Sequence, residues 1–254
     1  METCKALIYS VLSLGAGVNS TALLHVLLDE QMPLDEVVLA DTGAEKPETY
    51  EYIEKWIKPF LAEKGVPYTV VKPKTQLIER CLHGHKVPDR HFRWSTRDMK
   101  INPIKKYLKP RKPVHVYLGI CYDEIHRVKD SRIDWITNSW PLVDKRITRQ
   151  DCVDILRRKG WEIPVKSGCF FCPFQGKKDW FWLWKTHPDL FELSKKIERN
   201  GSKYPNFALV DGTLEKLEKT FPALFKAERE QTTLPMFARI PLFEDEECSG
   251  FCMT

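Results

Sequence analysis

The stretch Leu12-Ser-Leu-Gly-Ala-Gly-Val-Asn-Ser-Thr21 joins an apolar run to the start of a helical one. Gly15 and Gly17 allow a tight turn and a close backbone approach to a phosphate, with no Cβ in the way. Ser13, Asn19, Ser20 and Thr21 supply donors. A helix opening here presents free N–H groups and its positive dipole end. The chemistry is phosphate binding. It is not the P-loop, because no Gly-Lys-Ser/Thr follows, nor a dinucleotide fingerprint with three spaced glycines. The plain alternative is an ordinary strand-to-helix turn.

Two further groups could do chemistry. Asp41-Thr42-Gly43, followed by Pro47-Glu48-Thr49, comes after a second apolar run. Nucleotide-binding sheets place an acid there for a ribose or metal contact; a turn with an N-cap is the structural alternative. Cys169-x2-Cys172-Pro173 has the chelating spacing for zinc or an iron–sulfur cluster, and a redox or sulfur-carrying dithiol competes. Cys152, Cys248 and Cys252 are further candidate thiolates. A cluster is preferred to zinc, because thiolates dominate and no histidine has fitting spacing. Cys4 and Cys81 read as ordinary thiols. Trp180, Trp182 and Trp184 could stack on bases, but with Phe181, Leu183 and Leu190 they read rather as a buried helix face. His83, His85 and His91 read as solvated members of a basic loop.

These residues need a scaffold. Ala6–Leu12, Glu36–Ala40, Tyr68–Val71 and Val114–Ile120 read as strands. Ser20–Glu30, Glu48–Glu63, Gln76–Cys81 and Ile101–Leu108 read as intervening helices. Such alternation implies βαβ units: an α/β fold with a doubly wound, mostly parallel sheet and helices on both faces. Ligands then sit at the carboxyl ends of the strands, which puts the loops after strands one, two and four at a common site. From Thr148, a helix cap, the texture changes to helices over Asp151–Arg158, Lys178–Asn200 and Thr213–Glu218. The expected division is a nucleotide-binding domain over 1–147 and a helical, cysteine-bearing appendage over 148–254.

The composition bounds the class. The 254 residues are 43% hydrophobic and 30% charged, with no low-complexity tract, which excludes a disordered or fibrous chain. Eight cysteines are too few for a secreted disulfide scaffold. No apolar run approaches the roughly 20 residues of a membrane span, and Ser10 and Ser13 interrupt the only stretch resembling a signal peptide. A cytoplasmic protein without membrane contact is expected. The net charge is +5, with basic residues gathered at Lys100–Lys112 and Arg127–Arg132. That bias suits a phosphate-bearing partner.

Taken in order, the motifs resemble those of the PP-loop ATP pyrophosphatase superfamily, notably its phosphoadenylyl-sulfate reductase branch. The glycine turn and Asp-Thr-Gly…Pro-Glu-Thr are joined by Arg93-Trp94-Ser-Thr96 with Lys100-Ile-Asn-Pro103, by Gly119-Ile-Cys-Tyr-Asp-Glu124 with Arg127, and by Pro141-Leu142…Pro164…Gly168-Cys-Phe-Phe-Cys172. The likeness covers roughly residues 8–175. The superfamily loop usually reads Ser-Gly-Gly-x-Asp-Ser; Gly15 stands in place of its first Ser and Asn19 in place of its Asp. Ser95 and Thr96 replace the paired cysteines of the sulfonucleotide reductases, and their terminal Glu-Cys-Gly-Leu-His motif is missing.

The resemblance implies cleavage of ATP between its α- and β-phosphates, with Mg²⁺ offsetting charge. Ser20, Asp41, Lys100 and Arg127 are the implied catalytic group, with Arg93 as a further phosphate clamp. Ser13, Gly15, Gly17, Asn19, Ser20, Thr21, Asp41, Thr42, Gly43, Gly119 and Glu124 are the implied nucleotide contacts. A short reductase-like core with a cysteine motif is similar to the sulfur-transfer ATP pyrophosphatases of DNA phosphorothioation systems (Dnd and Ssp types) and to tRNA-thiolating enzymes. That likeness implies a nucleic-acid substrate, DNA before tRNA, met at Lys100–Lys112. It also implies a cysteine desulfurase as sulfur donor, a 4Fe–4S cluster or zinc at Cys152, Cys169, Cys172, Cys248 and Cys252, and a homodimer. Two other readings stand beside it, a sulfonucleotide reductase and a non-catalytic nucleotide-binding subunit.

Overall fold

The computed structural model describes residues 8–84, 86–90, 94–203, 207 and 209–232. In chain order its elements are β1 (Tyr9–Leu14), α1 (Val18–Asp29), β2 (Glu36–Ala40), α2 (Pro47–Tyr52), α3 (Lys58–Glu63), β3 (Tyr68–Val71), α4 (Leu77–His83), α5 (Asn102–Leu108), β4 (Val114–Leu118), β5 (Ile136–Ser139), α6 (Pro141–Asp144), α7 (Arg149–Arg158), α8 (Lys177–Thr186), α9 (Pro188–Gly201), α10 (Leu214–Glu218) and α11 (Phe221–Thr232). They form two compact units. Among the described residues one holds 8–74 and 96–168, and the other 75–95 and 169–232. The first unit therefore reaches past 147 to include α7, and the stretch 75–95 belongs to the second. None of the described helices is long and apolar enough to cross a membrane.

The first unit is built on a five-stranded, all-parallel sheet in the order β3-β2-β1-β4-β5. Side chains of successive strand residues point to opposite faces, and the core divides accordingly. Leu12, Leu14, Val37, Leu39 and Tyr117 pack with α1 and α7 on one face. Val11, Val38, Ala40, Val71, Val114 and Val116 pack with Leu108 of α5 on the other. The strands are apolar on both faces because helices cover both. The α/β class expected from the alternation is present. β5 completes the sheet with only Ile-Thr-Asn-Ser, too short and polar to read as a strand.

Two helical stretches widen for an identifiable reason. Ile53–Ile57, between α2 and α3, and Thr96–Ile101, before α5, are π-helical. Each runs up to a proline in the first turn of the next helix, Pro59 or Pro103. Proline has no N–H for the regular bond and its ring crowds the carbonyl four residues back, so the turn before it opens.

His25 of α1 is 2% exposed, wedged between the Phe60 and Trp161 rings at 4.8 and 4.6 Å. Neither ring nitrogen has a hydrogen-bond partner among the described residues. Burial, followed by the Lys159 charge, lowers its pKa from 6.5 to about 4. The folded state therefore resists protonation while the unfolded chain accepts it. Stability is complete above pH 6.5 and falls as the pH drops toward 4, by about 3 kcal/mol in all. Urea unfolding at pH 7, 5.5 and 4.5 is expected to show that loss, and His25→Leu to flatten it.

In the second unit α4 and α8–α11 enclose an aromatic core. Trp180, Phe181, Leu183, Phe191 and Phe221 are buried, with Phe221 touching Phe181 and Phe191 at ring separations of 5.5 and 5.8 Å. The single helix expected over Lys178–Asn200 is two, because Pro188 forces His187 out of the helical region, to φ −134° and ψ 69°. The tryptophan helix thus serves this core: Trp180 is fully buried, and Trp184 stacks on Phe181 at 6.0 Å. Asn200 Nδ2 donates to the Cys81 carbonyl at 2.5 Å, fastening α9 to α4.

Candidate functional site

Strand order reverses between β1 and β4, where ligands of open α/β sheets bind beyond the carboxyl ends. The loop after β1 turns through Gly15, Ala16 and Gly17 into α1. Ser20 Oγ braces that turn, accepting from Gly15 N at 3.2 Å and donating to Gly17 O at 3.3 Å. Ala16 is fully buried at φ +54°, a left-handed position that costs a residue with a Cβ about 1 kcal/mol. α1 opens on Gly17 without a side-chain cap and with no acid in its first turn, the arrangement in which a helix end attracts an anion. Ser13 and Thr21 are buried beside the turn, and Thr21 Oγ1 has no partner among the described residues.

The loop after β4 closes on this turn. A Cβ on Gly119 would stand 2.8 Å from both Ser20 N and Ser20 Cα, so the two backbones touch there. Beyond it, Asn19 Nδ2 donates to Glu124 Oε2 and to Cys121 Sγ, each at 2.9 Å. Glu124 also accepts from Arg127 Nη1, and Arg149 Nη1 donates to Asn19 Oδ1 at 3.3 Å. The Arg127 side chain is only 10% exposed, and its Nε has no hydrogen-bond partner among the described residues. Cys121 is fully buried; burial, then hydrogen bonding to Asp123 and the Glu124 charge, raise its thiol pKa, so it stays protonated. Asn19→Asp would set a second carboxylate against Glu124 in place of an amide donor. A loss of roughly 1–3 kcal/mol is expected at pH 7, measured by thermal unfolding.

The loop after β2 holds Asp41, Thr42 and Gly43. Asp41 Oδ1 accepts from Gly43 N at 2.8 Å and Tyr50 OH at 2.7 Å, while Lys72 lies 3.6 Å from Oδ2. Gly43 turns at φ +71° to make this possible. Asp41 is thus engaged by its own loop, by α2 and by the residue after β3. Lys100 pairs with Glu45, its Nζ 3.0 Å from Oε1, with both side chains largely buried. Glu45 Oε2 accepts from Gly168 N at 2.7 Å. The preceding residue, Ser167, fills the space beside Gly17: a Cβ there would meet its Oγ at 2.5 Å. Gly17 lacks a side chain because Ser167 occupies that volume. Glu45, Ser167 and Arg149 escape a sequence reading, being ordinary residue types brought in from distant positions.

The thiols lie apart in character. Cys152 is fully buried in the sheet core, and burial, then the Asp123 charge, push its pKa up to about 12. Cys169 and Cys172 sit half-buried on one turn, Cys172 N donating to Cys169 O at 3.0 Å, while Phe170 and Phe171 between them are buried. That turn supplies the two-thiol half of a zinc or cluster ligand set. Among the described residues no group of three or more His, Cys, Asp or Glu is gathered for a metal. Cys248, Cys252, Arg93, His85 and His91 lie outside the described residues. Asp41 Oδ1 and both oxygens of Glu124 accept from protein donors.

Residues 9–148 match the family model described as the phosphoadenosine phosphosulfate reductase domain. The chain is 25% identical over 205 residues to an uncharacterised protein of Methanocaldococcus jannaschii, an alignment covering 75% of this chain and 48% of that one. The chain thus spans about half the length of that relative. Among solved structures it is similar to a phosphoadenylyl-sulfate reductase from Candida auris, crystallised with phosphate (14% identity, 64% of this chain and 80% of the other, TM-score 0.46). It is also similar to the U34-tRNA thiolase NcsA of Methanococcus maripaludis with its 4Fe–4S cluster (13% identity, 89% and 74%, TM-score 0.44).

Proposed function

The chain belongs to the phosphoadenosine phosphosulfate reductase domain family, and from that membership we propose that it is an ATP pyrophosphatase that adenylates a nucleic-acid oxygen for sulfur insertion, with DNA phosphorothioation as the preferred reaction. The observation that carries this reading is the meeting of two loops at the strand-order reversal. Gly119 lies against the Ser20 backbone, directly over the uncapped end of α1. Such an end binds anions through its free N–H groups and dipole.

In this mechanism the turn at residues 15–17 holds the β- and γ-phosphates as the leaving group. Arg127 is held by Glu124, which Asn19 in turn anchors, and its guanidinium meets charge that builds as the α–β bond breaks. The acceptor oxygen attacks the α-phosphorus; pyrophosphate leaves and the oxygen carries AMP. A sulfur nucleophile then displaces AMP, taking the place of that oxygen. Sulfur from a cysteine desulfurase would be carried as a persulfide on one of Cys169 and Cys172; its outer sulfur displaces AMP, the other thiol attacks the inner sulfur and frees the product, and an external dithiol reopens the disulfide so formed. A bound Mg²⁺ would supply charge neutralisation on the phosphates.

The test is product analysis with ATP labelled at the α-phosphate. AMP plus pyrophosphate is expected, stimulated by nucleic acid. ADP plus inorganic phosphate would overturn the reading. A reductase would instead release sulfite from a sulfonucleotide in the presence of thioredoxin, and Ser95 and Thr96 in place of the reductases' paired cysteines argue against it.

A further inference from the structure

We infer that Ser167, from the segment before the cysteine turn, is a phosphate ligand of the nucleotide site. The inference rests on the nucleotide reading above and adds a residue to it. Three observations carry it. A Cβ on Gly17, the residue that opens α1, would meet Ser167 Oγ at 2.5 Å, and one on Gly15 would meet it at 3.9 Å. The serine hydroxyl therefore stands beside the position where a capping side chain on residue 17 would extend. α1 has no such cap of its own, so an anion drawn by its N–H groups arrives next to this hydroxyl.

The second observation is the anchoring of the segment. Glu45 Oε2 accepts from Gly168 N at 2.7 Å while Oε1 meets Lys100 at 3.0 Å. Glu45 is 7% exposed on its side chain, and a charge-assisted bond at that depth is strong. Gly168 follows at φ +144°, in the region glycine enters most readily. The last comes from another element. Arg127, nine-tenths buried and with no hydrogen-bond partner for its Nε among the described residues, is tied through Glu124 to Asn19 in the first turn of α1. A hydroxyl from residue 167 and a guanidinium from the β4 loop thus both connect to the opening of α1.

The test compares wild-type, Ser167→Ala and Ser167→Thr proteins by calorimetric binding of α,β-methylene-ATP and of adenosine. Losing one hydrogen bond to a charged acceptor weakens binding roughly 10-fold or more. Ser167→Ala is expected to lose that much affinity for the analogue and none for adenosine, with an unchanged melting temperature, and Ser167→Thr to retain it. Gly17→Ala, which displaces the same hydroxyl, is expected to reproduce the loss. Wild-type affinity for the analogue in Ser167→Ala overturns the inference. An equal loss for adenosine also overturns it, by showing a general effect on the fold. A wild-type protein that binds neither ligand removes the nucleotide reading itself.

Discussion

Gly119→Ala is expected to abolish nucleotide binding and to lower the melting temperature by about 3–10 °C. The added Cβ would lie 2.8 Å from Ser20 N and Cα and 3.1 Å from Ser20 Cβ. Two of those three atoms are backbone at the start of α1, so no side-chain rotation relieves the clash. Forcing a methyl group into such a contact costs roughly 1–3 kcal/mol, which for a chain of this length is a shift of that order. The binding loss exceeds the stability loss, because the movement falls on the N–H groups that would meet phosphate. Gly15→Ala is the control. Its nearest neighbours would be Ser20 Oγ at 3.8 Å and Ser167 Oγ at 3.9 Å, ordinary contacts, and an unchanged melting temperature is expected. Calorimetry with a non-hydrolysable ATP analogue and thermal unfolding check both. Undiminished binding by Gly119→Ala would show that the β1 and β4 loops do not share the ligand.

The scaffold was legible because local rules and packing agree in it. Apolar runs of five or six residues alternate with helices, and both sheet faces are covered, so the period of the pattern marks the fold directly. The glycine turn and Thr148 were readable for the same reason: their chemistry is local, and Thr148 forms a capping box with Asp151. What escaped depends on distance along the chain. Glu45 looks like any surface acid until Gly168 and Lys100 close on it, and Asn19 acquires its role only when Glu124 arrives 105 residues later. Gly17 is instructive in a different way. A missing side chain records only that space is taken; here Ser167 takes it, which no local pattern encodes. Cys152 makes the same point, since its place in the core between α7 and the sheet is set by packing that its spacing from Cys169 does not encode.

Serine substitution at Cys169 and Cys172 separates the two halves of the proposed reaction. The doubly substituted protein is expected to make AMP and pyrophosphate within about twofold of wild type, while sulfur incorporation into nucleic acid falls to background. A serine hydroxyl is scarcely ionised at neutral pH and cannot carry a sulfane sulfur, so the loss is at least 10³-fold. No other described thiol can stand in. Cys81, Cys121 and Cys152 are each fully buried, and burial comes first among the causes that raise all three, Cys81 and Cys152 to about 12. Cys169 and Cys172 are half-buried on a single turn, open enough to exchange sulfur with a donor. Alkylation of the native protein followed by peptide mass spectrometry is expected to label these two ahead of Cys81, Cys121 and Cys152. Incorporation that survives the double substitution would move the sulfur carrier away from this turn. Loss of AMP formation together with incorporation would instead make the turn part of the adenylation step.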